Sequence, residues 1–221
     1  MNEGTTTTTR ILLVDDHPMM RRGLRDLLDL EDDLETVGEA GNGEDAIRLA
    51  TQLEPDLILL DLNMPGMDGL ETARRMRDAE VDAHIIMFTV SDEQSHVLEA
   101  LRNGADGYLL KDMDAEQLVE QIRAAATGKM VLSPELTQVL AEAIRVRPKP
   151  SGQVQFSSLT KREKEVLRLI AKGQSNKMIA RKLGITEGTV KVHVKNLLHK
   201  LGLRSRVEAA VWTLENQQMR A

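Results

Sequence analysis

Apolar and polar positions follow one repeating plan over the first 128 residues of the chain. Short apolar runs, four to six residues long, are separated by longer amphipathic stretches. Runs of this length suit buried strands and are too short to cross a membrane. We therefore predict strands at Arg10 to Val14, Leu34 to Glu39, Asp56 to Leu60, His84 to Thr89 and Gly107 to Leu110.

The stretches between these runs carry helix signals. Pro18 suits a first helical turn, Asn42 can act as an N-cap, and Gly104 and Gly128 stand where helices end. We predict helices over residues 18–29, 43–53, 69–78, 91–103 and 114–127. Five strands alternating with five helices predict an α/β domain with a doubly wound, five-stranded parallel sheet over residues 9–128.

The rest of the chain has a different pattern. Ser133-Pro134-Glu135 predicts a helix start, and that helix should run from about 134 to 145 within a connecting segment over 129–156. Within it, residues 147–155 (RPKPSGQVQ) have no apolar period and predict a linker with a reach of about 15 Å if flexible.

Residues 157–221 predict a second, all-α domain of four helices. Thr160 and Glu163 form a capping-box pattern at the first helix, which should end near Lys172. Further helices are expected over residues 175–183, 186–201 and 205–216. Short helices joined at glycine-containing turns are typical of a helix-turn-helix.

Charge divides the chain in the same place. Residues 1–128 hold 11 basic and 28 acidic residues, a net −17, whereas residues 154–221 hold 14 and 5, a net +9. Such asymmetry suggests that the second domain meets nucleic acid or another anionic surface. The chain has no cysteine, which excludes disulfides and thiolate catalysis, and no long apolar stretch or signal peptide. We expect a cytoplasmic protein with no membrane contact and a frayed tail over residues 1–8.

Polar side chains follow the predicted strands where they leave the core. Asp15 and Asp16 follow the first strand, Asp61 follows the third, and Thr89 and Lys111 lie at the ends of the fourth and fifth. The carboxyl ends of parallel strands meet at one edge of a sheet, where ligands bind. Three carboxylates there should attract a cation, and Mg²⁺ prefers oxygen ligands. With a lysine and a hydroxyl nearby, an aspartate can accept a phosphoryl group as an acyl phosphate.

The helix over residues 186–201 has two faces. Val190, Val194, Leu197 and Leu201 form a core stripe, whereas Lys191, Lys195 and His199 lie on the open side, flanked by Val192. A helix of this kind can enter the major groove of double-stranded DNA, with Lys191 and Lys195 addressing guanine or phosphate and Val192 a thymine methyl. Phosphate contacts are expected from residues at helix starts, namely Thr186, Thr189, Asn176 and Lys177.

The first domain resembles the receiver domain of two-component response regulators, which has a flavodoxin-like fold. The resemblance rests on Asp15-Asp16, Asp61, Thr89, Tyr108 and Lys111. It implies that Asp61 is the phospho-acceptor, that Thr89 and Lys111 hold the phosphoryl oxygens, and that Tyr108 reorients with Thr89. It also implies that Mg²⁺ is bound by Asp16, Asp61 and the Asn63 carbonyl, with Asp15 acting through water. Asp112 replaces the proline that many receivers have after the lysine, so the following loop should differ.

The second domain resembles LuxR-type helix-turn-helix modules, most clearly in IARKLGIT and TVKVHV. A receiver joined to this module is similar to the NarL/FixJ class of regulators. DLNMPGMDGLET, GADGYLLKDM, NKMIARKLGIT and SRVEAAVW most resemble its nitrate- and nitrite-responsive members. The resemblance implies a transcription regulator that is phosphorylated by a sensor histidine kinase, binds an operator as a homodimer and contacts the transcription machinery. On this interpretation the chain is not an enzyme beyond its own phosphotransfer and dephosphorylation.

Other interpretations stay open on the sequence alone. The acidic site could belong to an enzyme with an aspartyl-phosphate intermediate, although Asn63 stands where such enzymes commonly carry a second acid. The helical domain could belong to a ligand-sensing LuxR-type regulator or to an adaptor that never meets DNA. We expect structural or surface roles for His17 and His84. The charge split also suggests that the unphosphorylated receiver covers the basic domain and competes with DNA.

Overall fold

A computed structural model describes residues 8–91, 93–129, 131–132, 156–174, 176–203 and 205–218. The first half of the chain alternates strands and helices as predicted. The strands are β1 (Thr9–Val14), β2 (Leu34–Ala40), β3 (Leu57–Leu60), β4 (His84–Thr89), β5 (Gly107–Leu110) and β6 (Val131–Leu132). The helices between them are α1 (Pro18–Leu28), α2 (Gly43–Leu53), α3 (Gly69–Asp78), α4 (Gln94–Arg102) and α5 (Ala115–Ala126).

The strands form one parallel sheet in the order β2-β1-β3-β4-β5-β6. This order confirms the doubly wound α/β class. The sheet also has a sixth strand of two residues, β6, which lies within the segment over 129–156 that was predicted to connect the two domains. Val131 pairs with Gly107 at the edge of β5. A Cβ on Gly107 would lie 2.5 Å from Val131 Cγ2, so the added strand requires glycine at that position.

Both faces of the central strands are buried, which explains why β1, β3 and β4 are mainly apolar. The edge strand β2 is partly exposed and mixes polar with apolar residues. Neighbouring side chains on β1 point to opposite faces, so Ile11 packs in one apolar cluster and Leu12 in the other. Helices α1 and α5 cover the first face through Leu28 and Ile122. Helices α2, α3 and α4 cover the second face with small and medium side chains such as Met76.

The helical domain begins with a 3₁₀ turn at Phe156–Ser158. It continues with α6 (Lys161–Ile170), α7 (Asn176–Leu183), α8 (Glu187–Leu201) and α9 (Arg206–Gln218). Thr160 and Glu163 form both bonds of the predicted capping box. The core stripe predicted for α8 is buried against the other helices and Trp212.

Three predicted segments differ from the structure or fall outside it. Helix α4 begins at Gln94, three residues later than predicted from Ser91: its N-cap is Glu93, and the Ser91 hydroxyl bonds to the ring of His96 in the first turn. The helix expected over residues 134–145 and the linker over 147–155 lie outside the described residues. The predicted boundaries of the two domains therefore stay predictions. Of the helices that the structure describes, none combines the length and apolar character that a membrane crossing requires.

Candidate functional site

An acidic pocket lies at the carboxyl ends of β1 and β3. The strands pair in register up to Val14 and Leu60, so the next residues, Asp15 and Asp61, stand side by side. Both carboxylates are almost completely buried, at 2% and 3% exposure. Gly69 at the start of α3 makes this arrangement possible, because a Cβ there would lie 2.1 Å from the Asp61 carbonyl oxygen.

Lys111, which follows β5, reaches into the pocket from two strands away along the same edge of the sheet. Its Nζ lies 2.6 Å from Asp15 Oδ2 and 3.0 Å from Asp61 Oδ2. Burial would lower the pKa of this ammonium group, but hydrogen bonds to the two carboxylates raise it above its ordinary value. The lysine is therefore charged and is held between the two acids.

The surroundings of Asp61 disfavour its charged form. Burial raises its pKa above the ordinary value, and the charge of Asp15 adds to this effect. Lys111 and the backbone N–H of Asn63 act in the opposite direction without cancelling it. One ammonium group thus faces three carboxylates, because Asp16 borders the same pocket, and the pocket keeps an excess of negative charge.

The donor set fits a divalent cation. Oxygen or nitrogen atoms of Asp15, Asp16, His17 and Asp61 all lie within 4.8 Å of one another. Asp16 Oδ1 is buried and lies 2.7 Å from His17 Nδ1, but it accepts no aligned hydrogen bond from the described residues. A buried carboxylate oxygen without a donor is costly unless a cation neutralises it. His17 was expected to have a structural or surface role, and the only sequence signal for its presence here is its adjacency to Asp15-Asp16.

Two more predicted residues lie on the adjoining strands. Thr89 is fully buried at the end of β4, and its hydroxyl accepts a 3.3 Å hydrogen bond from the Ser91 N–H. The Tyr108 ring is buried too, and its hydroxyl donates to the Ser91 carbonyl over 2.8 Å. The Ser91 peptide segment therefore connects the threonine to the tyrosine, a link that the sequence did not indicate.

Helix α8 carries the basic face predicted to meet DNA. Thr186 caps the helix by accepting from the Thr189 N–H over 3.1 Å. Val192 is 56% exposed although it is apolar. The side chain therefore lies outside the core of the domain and is available on the open face beside Lys191 and Lys195.

The two lysines of this face pair with the α/β domain in the present arrangement. Lys191 Nζ lies 3.7 Å from Asp56 Oδ1, and Lys195 Nζ lies 3.1 Å from Glu80 Oε2. The acids belong to the loops that precede β3 and β4, at the edge of the sheet opposite Asp61.

A cavity of about 300 Å³ separates the remaining surfaces of the two domains and is lined by both, including His199 of α8. Arg206, at the start of α9, is 8% exposed beside this cavity. Burial lowers its pKa to about 10, an effect that Asp106 partly offsets. Asp106 itself is held ionised, because Arg77, His84 and a backbone N–H outweigh burial and lower its pKa to about 2.

The remaining predicted DNA contacts lie in the first turn of α7. Asn176 was expected to contact phosphate, but in this arrangement its Oδ1 accepts a 2.6 Å hydrogen bond from Arg206 Nη1. Lys177 follows it in the same helical turn. Sequence reasoning missed Arg206 and Asp106, because nothing local marks either residue as buried at a contact between domains.

Comparison with known proteins gives two family matches. The response regulator receiver domain matches residues 11–123, and the luxR family of bacterial regulatory proteins matches residues 157–213. The chain is 54% identical over 202 residues to the nitrate/nitrite response regulator protein NarL of Escherichia coli K12, covering 91% of this chain and 93% of NarL. It is 50% identical over 211 residues to NarP of the same strain, covering 96% and 97%.

A solved structure resembles nearly the whole chain as well. The crystal structure of ChrA, the response regulator of a heme-sensing two-component system, is 34% identical in sequence. It covers 96% of this chain and 98% of its own, with a TM-score of 0.51.

Proposed function

Because this chain belongs to the response regulators that join a receiver domain to a LuxR-family DNA-binding domain, we propose that phosphorylation of Asp61 controls its binding to DNA. The observation that carries the proposal is the pocket in which Lys111 lies 2.6 Å from Asp15 and 3.0 Å from Asp61. Membership of this family argues against a turnover enzyme and against a ligand-sensing LuxR-type regulator, since a receiver occupies residues 11–123.

Asp61 acts as the nucleophile of this reaction. One carboxylate oxygen attacks the phosphorus atom of a phosphohistidine on a sensor kinase; the P–N bond breaks and its electron pair stays on the histidine nitrogen. Lys111 and the Thr89 hydroxyl neutralise and orient the incoming phosphoryl oxygens. Asp16, Asp61 and the Asn63 carbonyl would hold Mg²⁺ directly and Asp15 through water, and the bound ion would offset negative charge. The same groups would serve phosphotransfer from small donors and slow loss of the phosphoryl group to water.

The signal leaves the pocket through Thr89. A phosphoryl group on Asp61 offers the Thr89 hydroxyl a strong acceptor, and rotation of the side chain toward it would move Oγ1 away from the Ser91 N–H, from which it accepts over 3.3 Å. Ser91 also holds Tyr108, so a shift of this segment releases the tyrosine hydroxyl. Helix α4 begins three residues after Ser91 and contacts α9 of the helical domain, which supports a route between the two domains.

In the unphosphorylated chain, we propose, the receiver covers the DNA-reading face of α8. The pairs Lys191–Asp56 and Lys195–Glu80 support this idea, but all four side chains are at least 40% exposed. Exposed pairs contribute only about 0.2 to 1 kcal/mol each, which is a few-fold effect on affinity. The stronger contribution should come from Val207 of α9, which is 3% exposed and packs in the receiver's apolar cluster.

The names of the relatives support nitrate- and nitrite-responsive gene control as the physiological role. Binding as a homodimer on paired half-sites is part of the proposal, since one module reads only a few base pairs. Contacts with the transcription machinery would follow from that binding.

The test is a titration of operator DNA with the full chain, with and without a small phosphodonor and Mg²⁺. Wild type should bind more tightly after phosphorylation, whereas Asp61→Asn should show no acyl-phosphate labelling and no change in affinity. Asp68→Asn is the matched control, because Asp68 lies in the same loop and asparagine preserves its N-cap of α3. Undiminished labelling of Asp61→Asn would reject the assigned phospho-acceptor.

A further inference from the structure

Arg21 connects helix α1 to the backbone of the acidic pocket. Its Nη1 donates a 2.5 Å hydrogen bond to the carbonyl oxygen of Asp15, six residues earlier in the chain. The arginine side chain is only 18% exposed, although arginine is mostly a surface residue in proteins. The guanidinium group is therefore directed at the end of β1 instead of at solvent.

The backbone ladder of the sheet ends beside this carbonyl. The Asp15 N–H still donates to the Ala40 carbonyl of β2 over 3.1 Å, and the Asp61 N–H donates to the Val14 carbonyl of β1 over 2.8 Å. The next carbonyl along the chain, that of Asp15, accepts from Arg21. A buried carbonyl requires a hydrogen-bond donor, and a charged donor forms a stronger bond than a neutral one. Arg21 thus takes the place of a further strand partner.

The bond from Arg21 orients Asp16 through the peptide that joins it to Asp15. The carbonyl of Asp15 and the N–H of Asp16 belong to one planar group, so a fixed carbonyl direction also fixes the position of the Asp16 Cα. The side chain of Asp16 has few other restraints. Its Oδ1 accepts no aligned hydrogen bond from the described residues, and the nearby ring of His17 is itself 72% exposed. The direction of the Asp16 carboxylate therefore depends on the backbone.

Glu39 on β2 holds the other side of the guanidinium group. Arg21 Nε lies 3.4 Å from Glu39 Oε2, and a Cβ on Gly41 would lie 3.4 Å from Arg21 Nη1, so the backbone of β2 runs close beside the group. Arg25, one turn later on α1, donates to the same carboxylate over 2.7 Å. Glu39 therefore keeps an arginine partner when Arg21 is replaced, and only the carbonyl of Asp15 loses its donor.

We propose that Arg21 is a positioning residue for phosphotransfer to Asp61, because it holds the Asp15–Asp16 peptide so that Asp16 faces the pocket before a cation binds. Arg21 touches neither the cation nor the phosphoryl group. Without it, the Asp16 carboxylate would have to be ordered during binding, and that ordering would weaken the Mg²⁺ site. This inference rests on the proposed function and adds a residue outside the pocket to it.

Mg²⁺ binding by the full chain tests the role. Mg²⁺ is titrated by calorimetry, and acyl-phosphate labelling by acetyl phosphate is measured over the same range of Mg²⁺. Arg21→Met should weaken Mg²⁺ binding about tenfold and raise the Mg²⁺ concentration for half-maximal labelling by the same factor. The labelling rate at saturating Mg²⁺ should stay within about twofold of wild type, because Asp61, Thr89 and Lys111 are unchanged.

Arg25→Met is the matched control, since it removes the same charge from the same helix and from the same carboxylate. Loss of a positive charge by itself would favour binding of a cation, so a weaker site in Arg21→Met alone reflects the lost bond to the carbonyl. If Arg21→Met does not fold, Arg21→Lys replaces it. One ammonium group cannot keep both contacts of the guanidinium, so Arg21→Lys should weaken Mg²⁺ binding about threefold.

Nuclear magnetic resonance of the metal-free chain measures the bond directly. A hydrogen bond deshields a carbonyl carbon, so the ¹³C resonance of the Asp15 carbonyl should move upfield in Arg21→Met and stay in place in Arg25→Met. Equal Mg²⁺ affinities of the two variants, or a slower labelling rate that saturating Mg²⁺ does not restore, would overturn the positioning role. If wild type neither binds Mg²⁺ nor is labelled, the proposed function itself fails. Normal binding and labelling that a folded Arg21 variant leaves unchanged would refute only this inference.

Discussion

When no metal is bound, Lys111 should stabilise the acidic pocket more than any other single charge there. Its ammonium lies 2.6 Å and 3.0 Å from two carboxylates that are less than 5% exposed. In Lys111→Met a side chain of similar length remains, but Asp15 and Asp61 face each other without a cation. Removing one partner of a buried ion pair costs about 3 to 5 kcal/mol. Solvent reaches the pocket beside the partly exposed side chains of Asp16 and His17 and screens its charges. We therefore expect Lys111→Met to lower the free energy of unfolding by about 2 to 4 kcal/mol without metal.

The loss should depend on pH in a defined direction. The pKa of Asp61 is raised in the folded chain, so its contribution to stability is fully present below its ordinary pKa and disappears as pH rises through the folded value. Removing Lys111 raises that pKa further, because the lysine is the main group that lowers it. The deficit of Lys111→Met should therefore be largest at neutral pH and shrink toward about pH 5. Added Mg²⁺ should also restore part of it by binding only the folded state.

The assay is urea unfolding of the full chain. Unfolding of the receiver is monitored by hydrogen exchange in peptides that cover β1 and β3. Trp212, which is the only tryptophan and lies in the helical domain, provides an internal reference by fluorescence. Lys129→Met is the matched control, since Lys129 is exposed on the same domain and should cost less than about 0.5 kcal/mol. A loss below about 1 kcal/mol in Lys111→Met at neutral pH without metal would refute the electrostatic account of the pocket.

Three further changes probe other parts of the molecule. Gly69→Ala should lower both stability and acyl-phosphate labelling, because its Cβ would lie 2.1 Å from the Asp61 carbonyl; normal labelling and an unchanged melting temperature would contradict the packing. Thr160→Ala should cost about 1 kcal/mol in the Trp212 fluorescence transition through loss of the capping box, and an unaltered midpoint would show that the cap is dispensable. Glu80→Gln should raise the DNA affinity of the unphosphorylated chain about two- to fivefold in a binding titration, and no gain would argue against covering of the lysines.

The arrangement of the two domains separates the input from the output. The pocket of Asp61 lies at the carboxyl ends of the strands, whereas Asp56 and Glu80 meet α8 from the amino ends. Asp56 and Asp61 are separated by the length of β3, about 16 Å. A direct electrostatic effect of the phosphoryl group on the lysines would be strongly screened at that distance. Movement of α4 against α9, where Val207 is buried, is therefore the more effective means of coupling.

Local patterns in the sequence determined most of the fold. Apolar runs predicted β1, β3, β4 and β5 because a strand buried on both faces needs apolar side chains on both. Caps such as Asn42 and Thr160 predicted helix starts within one residue, because these side chains satisfy the free backbone N–H groups of the first turn. Strand ends also indicated the carboxylates of the pocket, since parallel strands bring their carboxyl ends to one edge.

The tertiary structure alone decided which distant groups meet. Lys111 is 96 residues from Asp15, and Lys195 is 115 residues from Glu80, so no local period or spacing links either pair. The same holds for β6, whose contact with β5 depends on the missing side chain of Gly107. Secondary structure follows from the preferences of neighbouring residues, whereas these contacts form only when packing of the whole chain offsets the entropy lost in bringing its distant parts together.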